Sequence, residues 1–491
     1  LQVDPKDLEF HELTWFDWLR EVRYSGGMGF TISLTLHLIV LAVLAWLIID
    51  QPATNDLDPY IASWLDPAEI PAESQRIRQP VSLPLAFAPA VAASTPPPVT
   101  QAKPDPLARA PASRPQAVDV GRALQNRRAF TLSDPAELEQ LGGSAAAQRA
   151  VKAGLAWLAR QQTSVGHWEL HQGYPNPGTS VIKTDTGATA LALLALQGAG
   201  QTHVEGEHAA VIEKGLRWLI DIQDKSTGDL HDQRQEEGRQ PAFYAHAMAT
   251  IALCEALALT RDESLRPAAE LAVQYLVTSQ HPEQGGWKYR PISKLMVGDL
   301  SVTGWALMAL HTARMADIPV SDEEFQRASA FLDSVSERSG SRYKYEPLDP
   351  PDRISAALTA EGLLCRQWLG WERDFPPHVE GIASLLQEQY RPAWTSGRRN
   401  VYEWYYIAQV LHNLGGADWK DWYLPTRDAI VKAQVTAGSV RSPNDVRGSW
   451  HPTQPPGMGH EYAEKAGRLY ITAMCLLILE TPTRHRPLYA E

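Results

Sequence analysis

Cysteine is scarce. The chain has three, Cys254, Cys365 and Cys475, far apart and each inside an apolar helical run. No Cys-x-x-Cys pair and no Cys/His ligand spacing occurs. That excludes a disulfide framework and a thiolate zinc site. Basic clusters are also missing. Lys and Arg total 45 against 57 Asp and Glu, for a net charge of −12. No Lys/Arg-rich stretch offsets this, so a nucleic-acid partner and electrostatic docking on anionic lipid are both excluded. No cofactor-binding motif is present, and no cofactor is expected.

What is present divides into segments. Residues 1–27 mix aromatics with charges (EFHELTWFDWLREVRY) and suit a cytoplasmic amphipathic helix. Met28–Ile49 carries no formal charge over about 22 residues, enough to cross a bilayer as a transmembrane anchor spanning 28–50. Lys6, Arg20 and Arg23 precede it, and no Lys or Arg follows until Arg76. The positive-inside rule then predicts an inner-membrane, single-pass protein with a cytoplasmic N-terminus and a periplasmic remainder. Ser33 and His37 lie one turn apart on one face of the span. An ionisable group inside a membrane is costly and marks function. Their spacing resembles the Ser-x-x-x-His of TonB-type anchors, which implies an inner-membrane motor partner. Residues 51–145 are rich in Pro and Ala and poor in aromatics, which predicts a disordered, extended tether.

From 146 to 484 the chain repeats. Each unit pairs a helical run ending in Gln and a Gly-x-Trp turn with a second run rich in Ala, Leu and Thr. GLAWLARQQTSVGHW then TDTGATALALLAL is one copy; LAVQYLVTSQHPEQGGW then GDLSVTGWALMAL is another. Six such hairpins are legible. The second helix of each is apolar nearly all round and belongs inside; the first carries charges such as Lys214, Arg217 and Asp221 and belongs outside. The expected fold is all-α, an (α/α)6 toroid of six helical hairpins with an inner ring shielded by an outer one.

These repeats resemble those of squalene–hopene cyclases and of protein prenyltransferase β subunits, whose QW repeat is matched by Lys214, Gly215, Trp218, Leu219, Gln223 and Gly228, with Leu230 in the Trp place. Gln162, Gly166 and Trp168 match it again, as do Gln280, Gly285 and Trp287. The resemblance implies the toroid and, as an expectation, an apolar or isoprenoid-like ligand, or a protein segment, in its cavity. The cyclase acid is the middle Asp of Asp-x-Asp-Asp-Thr; the stretch here is Asp299-Leu300-Ser301-Val302-Thr303, and a serine hydroxyl is far too weak an acid to protonate an alkene. The prenyltransferase Asp-x-Cys pair is absent as well, as is the Cys-Gly-Glu-Gln run of thioester domains. A binding toroid without the usual cyclase chemistry is the leading expectation. An active cyclase or prenyltransferase with altered acid or metal residues is the alternative, and an envelope scaffold or transduction component the third.

Superposing inner helices on Thr189, Thr250, Thr303, Thr359, Ala408 and Thr472 places Asp185, His246, Asp299, Ser355, Trp404 and Arg468 four residues earlier, predicted to surround one mouth of the ring. Asp185, His246 and Asp299 are the candidate catalytic residues. Trp404, Tyr405, Arg468 and Ser355 are the candidate ligand-binding ones. Asp185 and Asp299 equally suit helix caps; carbohydrate-active toroids work with paired carboxylates and these two could serve, but no sequence motif supports the pairing. Asp185, His246 and Asp299 come from consecutive hairpins, but neither spacing nor cysteine usage supports a metal, and none is expected.

Overall fold

The structure, a computed structural model, describes residues 135–171, 174–175, 178–179, 181–232, 242–290, 297–437 and 445–489, all within one compact unit. Met28–Ile49, Ser33, His37 and most of the tether lie outside the described residues. A first short helix, α1 (Pro135–Leu141), is followed by six hairpins. Their outer helices are α2 (Ala145–Gln161), α4 (Ala209–Ile222), α6 (Arg266–Ser279), α8 (Asp322–Ser334), α10 (Pro376–Leu385) and α12 (Gly416–Ala433). Their inner helices are α3 (Asp185–Gly198), α5 (Ala242–Thr260), α7 (Leu300–Met315), α9 (Ala356–Trp368), α11 (Val401–Leu414) and α13 (Ala463–Arg484).

The inner helices pack in sequence, α3 on α5, α5 on α7, α7 on α9, α9 on α11 and α11 on α13, and α13 returns to α3. The ring is closed. Chemistry explains which helix goes inside. Every residue of α5 from Phe243 to Ala258 is buried, whereas Lys214, Arg217 and Asp221 of α4 are exposed. Ala242–Thr260 is apolar and long enough to cross a membrane by composition, but 89% of that window is buried in the ring. Helix α1 falls within the stretch expected to be tether. Leu138 is buried, and Arg427 on α12 donates to the carbonyls of Gly142 and Gly143, so the fold begins ahead of residue 146.

Four of the joints between neighbouring hairpins use one device. Gln162 closes α2, and its amide donates to the Gly166 carbonyl of its own turn and to Val211 on the next outer helix, both at 2.8 Å. Gln223 repeats this with Gly228 and Ala268, and Gln280 with Gly285 and Glu324. Gln434 repeats it across the closure, donating to Gly448 and to Ala150 of α2. The paired glycine has a positive φ and touches the next outer helix. A Cβ on Gly448 would stand 2.2 Å from the Ala153 carbonyl oxygen, and one on Gly285 1.9 Å from that of Arg327, so only glycine fits. At three of these four glycines a tryptophan two residues on ties the turn down. Trp168, Trp287 and Trp450 donate through their indoles to Leu158, Leu276 and Ile430. Replacing Gln280 with Ala leaves the buried Gly285 carbonyl without its donor and removes the bond to the next outer helix at Glu324, and the unfolding free energy in a urea titration is expected to fall by about 1–3 kcal/mol.

Candidate functional site

The outer-to-inner turns gather at the N-terminal end of the inner ring. The expected register holds in four hairpins. Thr189, Thr303, Thr359 and Thr472 each accept a backbone N–H from their own turn, from Trp168, Trp287, Tyr343 and Trp450 respectively. In the second hairpin that acceptor is His246, whose Nδ1 takes the Leu230 N–H at 3.1 Å. The backbone agrees: Phe243 N donates to Tyr289 O as Leu300 N donates to Tyr345 O. His246 therefore occupies the threonine place, one turn deeper than expected. In the fifth hairpin Asn400 caps α11, so Trp404 also lies one turn inside, packed on Trp394.

The six residues thus do not share one rim. Asp185 meets His167 and Glu169. His246 is fully buried beside Tyr275; its Nδ1 accepts from Leu230, so its Nε2 is the protonated nitrogen and donates to Ala272 O on α6. Ser355 caps α9 by accepting from Leu358 N, and it borders a surface cavity of about 200 Å3 with Arg338, Arg342 and Tyr390. Arg468 braces its turn, donating to Pro175 O, Ser449 Oγ and Trp450 O. Asp185, His246 and Asp299 sit at separate joints. The only grouping of metal-type ligands among the described residues takes Asp185 alone of the three.

Burial pulls the His246 imidazole down to about 3, only partly offset by its bond to Ala272. The neutral ring is the folded form. Unfolding lets it take up a proton below its ordinary 6.5, so its contribution to stability is complete above that pH and is lost as pH falls toward 3. His246→Ala is expected to cost about 2–5 kcal/mol, since it strands two buried backbone groups, and to flatten the acid side of a stability–pH curve.

Asp299 stands at the start of α7. It is fully buried and caps α7, accepting from Val302 N and Ser301 Oγ at 2.8 Å. Ser301 Oγ also bonds the hydroxyl of Tyr244. On its other side stands Lys288 Nζ at 3.4 Å, which pairs outward with Glu346 and lies over the rings of Tyr289 and Tyr345. Burial pulls the Lys288 ammonium down, but Asp299 and Glu346 outweigh it and hold it above its usual value.

Sequence reasoning overlooked a second buried acid. Glu361 on α9 is fully buried, and neither carboxyl oxygen has a hydrogen-bond partner of ordinary geometry. Burial pushes its acidity well above the carboxylate range, with the Tyr406 hydroxyl opposing and Asp299 adding to the shift. Room for it comes from Gly304 on α7, where a Cβ would lie 2.1 Å from Glu361 Oε1. Around it runs a column of rings: Tyr462 on Tyr402 at 5.9 Å, Tyr402 on Tyr406 and Tyr406 on Tyr405 at 5.1 Å, Tyr405 stacked on Trp305 at 5.8 Å. Tyr405 also lines a cavity of about 60 Å3 at the opposite end, with Glu255, His311 and Arg484. Arg484 there makes a two-pronged bond to Glu255. Chain residues His485 to Tyr489 cross that end, tied by His485 O to His412 and by Tyr489 to Asn413 and Trp371.

Fold and site together define a closed α/α toroid whose centre packs aromatic rings around a buried acid. No family model and no curated protein matches the chain. Among solved structures it is similar to the GH76A α-1,6-mannanase from Salegentibacter sp. HEL1_6, at 11% identity and TM-score 0.46 over 68% of this chain and 98% of that one. It is similar to the type II terpene cyclase MstE from Scytonema at 14% identity and TM-score 0.41, over 70% and 98%. It is also similar to the cellobiose 2-epimerase from Bacillus thermoamylovorans B4167 at 11% identity and TM-score 0.43, over 73% and 98%.

Proposed function

We propose that this chain is a membrane-anchored toroid that binds an isoprenoid-like ligand, apolar along its length and hydroxylated at one end, in the lumen beneath the N-terminal mouth of the inner ring. The observation that carries this reading is the column from Tyr462 to Trp305 packed around the uncharged Glu361. Stacked rings offer large apolar faces, and their hydroxyls offer polar handles. The ligand's hydroxyl would meet the Asp299–Ser301–Tyr244 chain, which can both donate and accept. Binding there would displace side chains at the mouth, where Tyr402 and Tyr462 keep partial exposure. Anchoring through Met28–Ile49, a periplasmic toroid and a motor partner reached through Ser33 and His37 complete the proposal, resting on the charge pattern of the N-terminal segment. In an assay, the full chain in mild detergent is mixed with geranylgeraniol and weighed by native mass spectrometry. One bound molecule per chain, lost in Tyr406→Ala, is expected; no complex, or one indifferent to that change, contradicts the reading.

One observation favours a catalytic variant of the same site. A carboxyl kept protonated among aromatic faces is placed to give its proton to an alkene carbon and, as carboxylate, to recover one when the resulting cation loses it. Turnover of a polyprenyl substrate that disappears in Glu361→Gln while that variant stays folded and still binds the substrate would select this variant over binding alone.

A further inference from the structure

We propose that His167, Glu169 and Asp185 form a site for one divalent transition cation at the joint between the first turn and α3. Their ligand atoms lie within 4.8 Å of one another. His167 Nε2 stands 3.3 Å from Glu169 Oε1 and 3.7 Å from Asp185 Oδ2. Ligands held at about 2.1 Å in a tetrahedron are separated by about 3.4 Å, so both spacings fit a zinc-sized ion with little rearrangement. The imidazole is aimed: Nδ1 bonds Thr163 Oγ1 at 3.0 Å, and the ring stacks on Trp218 at 4.9 Å between centroids. Fixing the far nitrogen and the ring plane is how proteins present an imidazole to a metal. The three side chains keep 13, 21 and 18% exposure, so the fourth position faces water.

The ring contains its own comparison. The residue after the turn Trp (Tyr343 at the fourth joint, Leu230 at the second) and the residue four before the bracing side chain are equivalent pairs by register. At the third joint these are Lys288 and Asp299, and an ammonium sits 3.4 Å from the carboxylate. At the fourth they are Lys344 and Ser355, and at the sixth His451 and Arg468. Where His246 takes the threonine place, they are His231 and Ala242. The first joint alone of these sets two acids, Glu169 and Asp185, against each other, with an imidazole nitrogen between them. A cation bound there takes the place the Lys288 ammonium fills at the third joint. Imidazole with two carboxylates suits zinc or another borderline divalent ion better than magnesium.

The test uses the untagged full chain in detergent, stripped with EDTA, loaded with Zn2+ in excess Mg2+, dialysed and analysed for bound metal. Wild type is expected to retain one zinc per chain. His167→Ala and Glu169→Lys, the latter rebuilding the third joint's arrangement, are expected to retain none while keeping the far-UV circular dichroism of wild type. Thr163→Val is expected to weaken zinc binding about 10- to 100-fold by releasing the imidazole. Should Glu169→Lys fail to fold, His167→Gln carries the test. No zinc on wild type, or zinc undiminished in the variants, overturns the proposal.

Discussion

Arg399→Met is expected to lower the unfolding free energy by about 3–5 kcal/mol, among the largest effects of any single change in the ring. Arg399 is fully buried ahead of α11 and grips Glu461, which precedes α13, with Nε–Oε1 at 2.8 Å and Nη2–Oε2 at 2.7 Å. The guanidinium also donates to the carbonyls of His451 and Pro452, and Glu461 Oε1 accepts the Val401 N–H. One pair thus joins the fifth hairpin to the sixth, a joint without the glutamine brace that four others have. Burial pushes the Glu461 carboxyl up, and Arg399 and Val401 recover only part of the shift. The pair is therefore expensive to desolvate, and what matters is its completeness. Removing the guanidinium alone strands a buried acid. Removing both charges with Arg399→Met and Glu461→Leu is expected to recover much of the loss, and urea titrations of the two singles and the double measure the coupling.

Glu361→Gln is expected to act in the opposite direction and to stabilise the protein at neutral and alkaline pH. Because the folded state holds this carboxyl protonated well above its ordinary value, the folded chain binds more protons than the unfolded chain once pH exceeds about 4.5. Stability then falls as pH rises toward the raised value, by up to about 1.4 kcal/mol per pH unit. An amide of the same shape has no proton to lose, so the variant's stability should be flat over that window and its advantage should widen with pH. Thermal melts of both forms between pH 5 and 9 read this directly. Parallel curves would mean that the carboxyl is already ionised.

The ring itself was legible. Helices of small apolar residues have to be inside, and a Gln with a Gly four or five residues on, repeated at Gln162, Gln223 and Gln280, has to join something; it joins neighbouring outer helices, and Gln434 does the same for the closing pair through Ala150. The mouth was legible only in part. Aligning on threonine misplaced His246 because an imidazole Nδ1 accepts the same turn N–H that a threonine Oγ1 accepts elsewhere, and residue type alone does not reveal that equivalence. Glu361 was overlooked because a single acid in ISAALTAEGLLC reads as the solvent edge of a helix. The signal was available: α5, α9 and α13 each carry a Glu inside a run buried on every side, at Glu255, Glu361 and Glu480. Only pairing distinguishes them, since Glu255 meets Arg484 and Glu361 meets no cation. The His167–Glu169–Asp185 group was hidden for a related reason. Its members straddle a turn whose Trp and Gly announce structure, and the chain path that brings Asp185 back to His167 cannot be read from spacing.

That the closed lumen is dry enough to keep a carboxylic acid uncharged is tested most directly by infrared difference spectroscopy of the full chain at pH 8, wild type against Glu361→Gln. A protonated-carboxyl C=O band present in wild type and missing from the variant is the expected result. Its absence from wild type, with a carboxylate band lost in the variant instead, would contradict an apolar lumen built around Glu361.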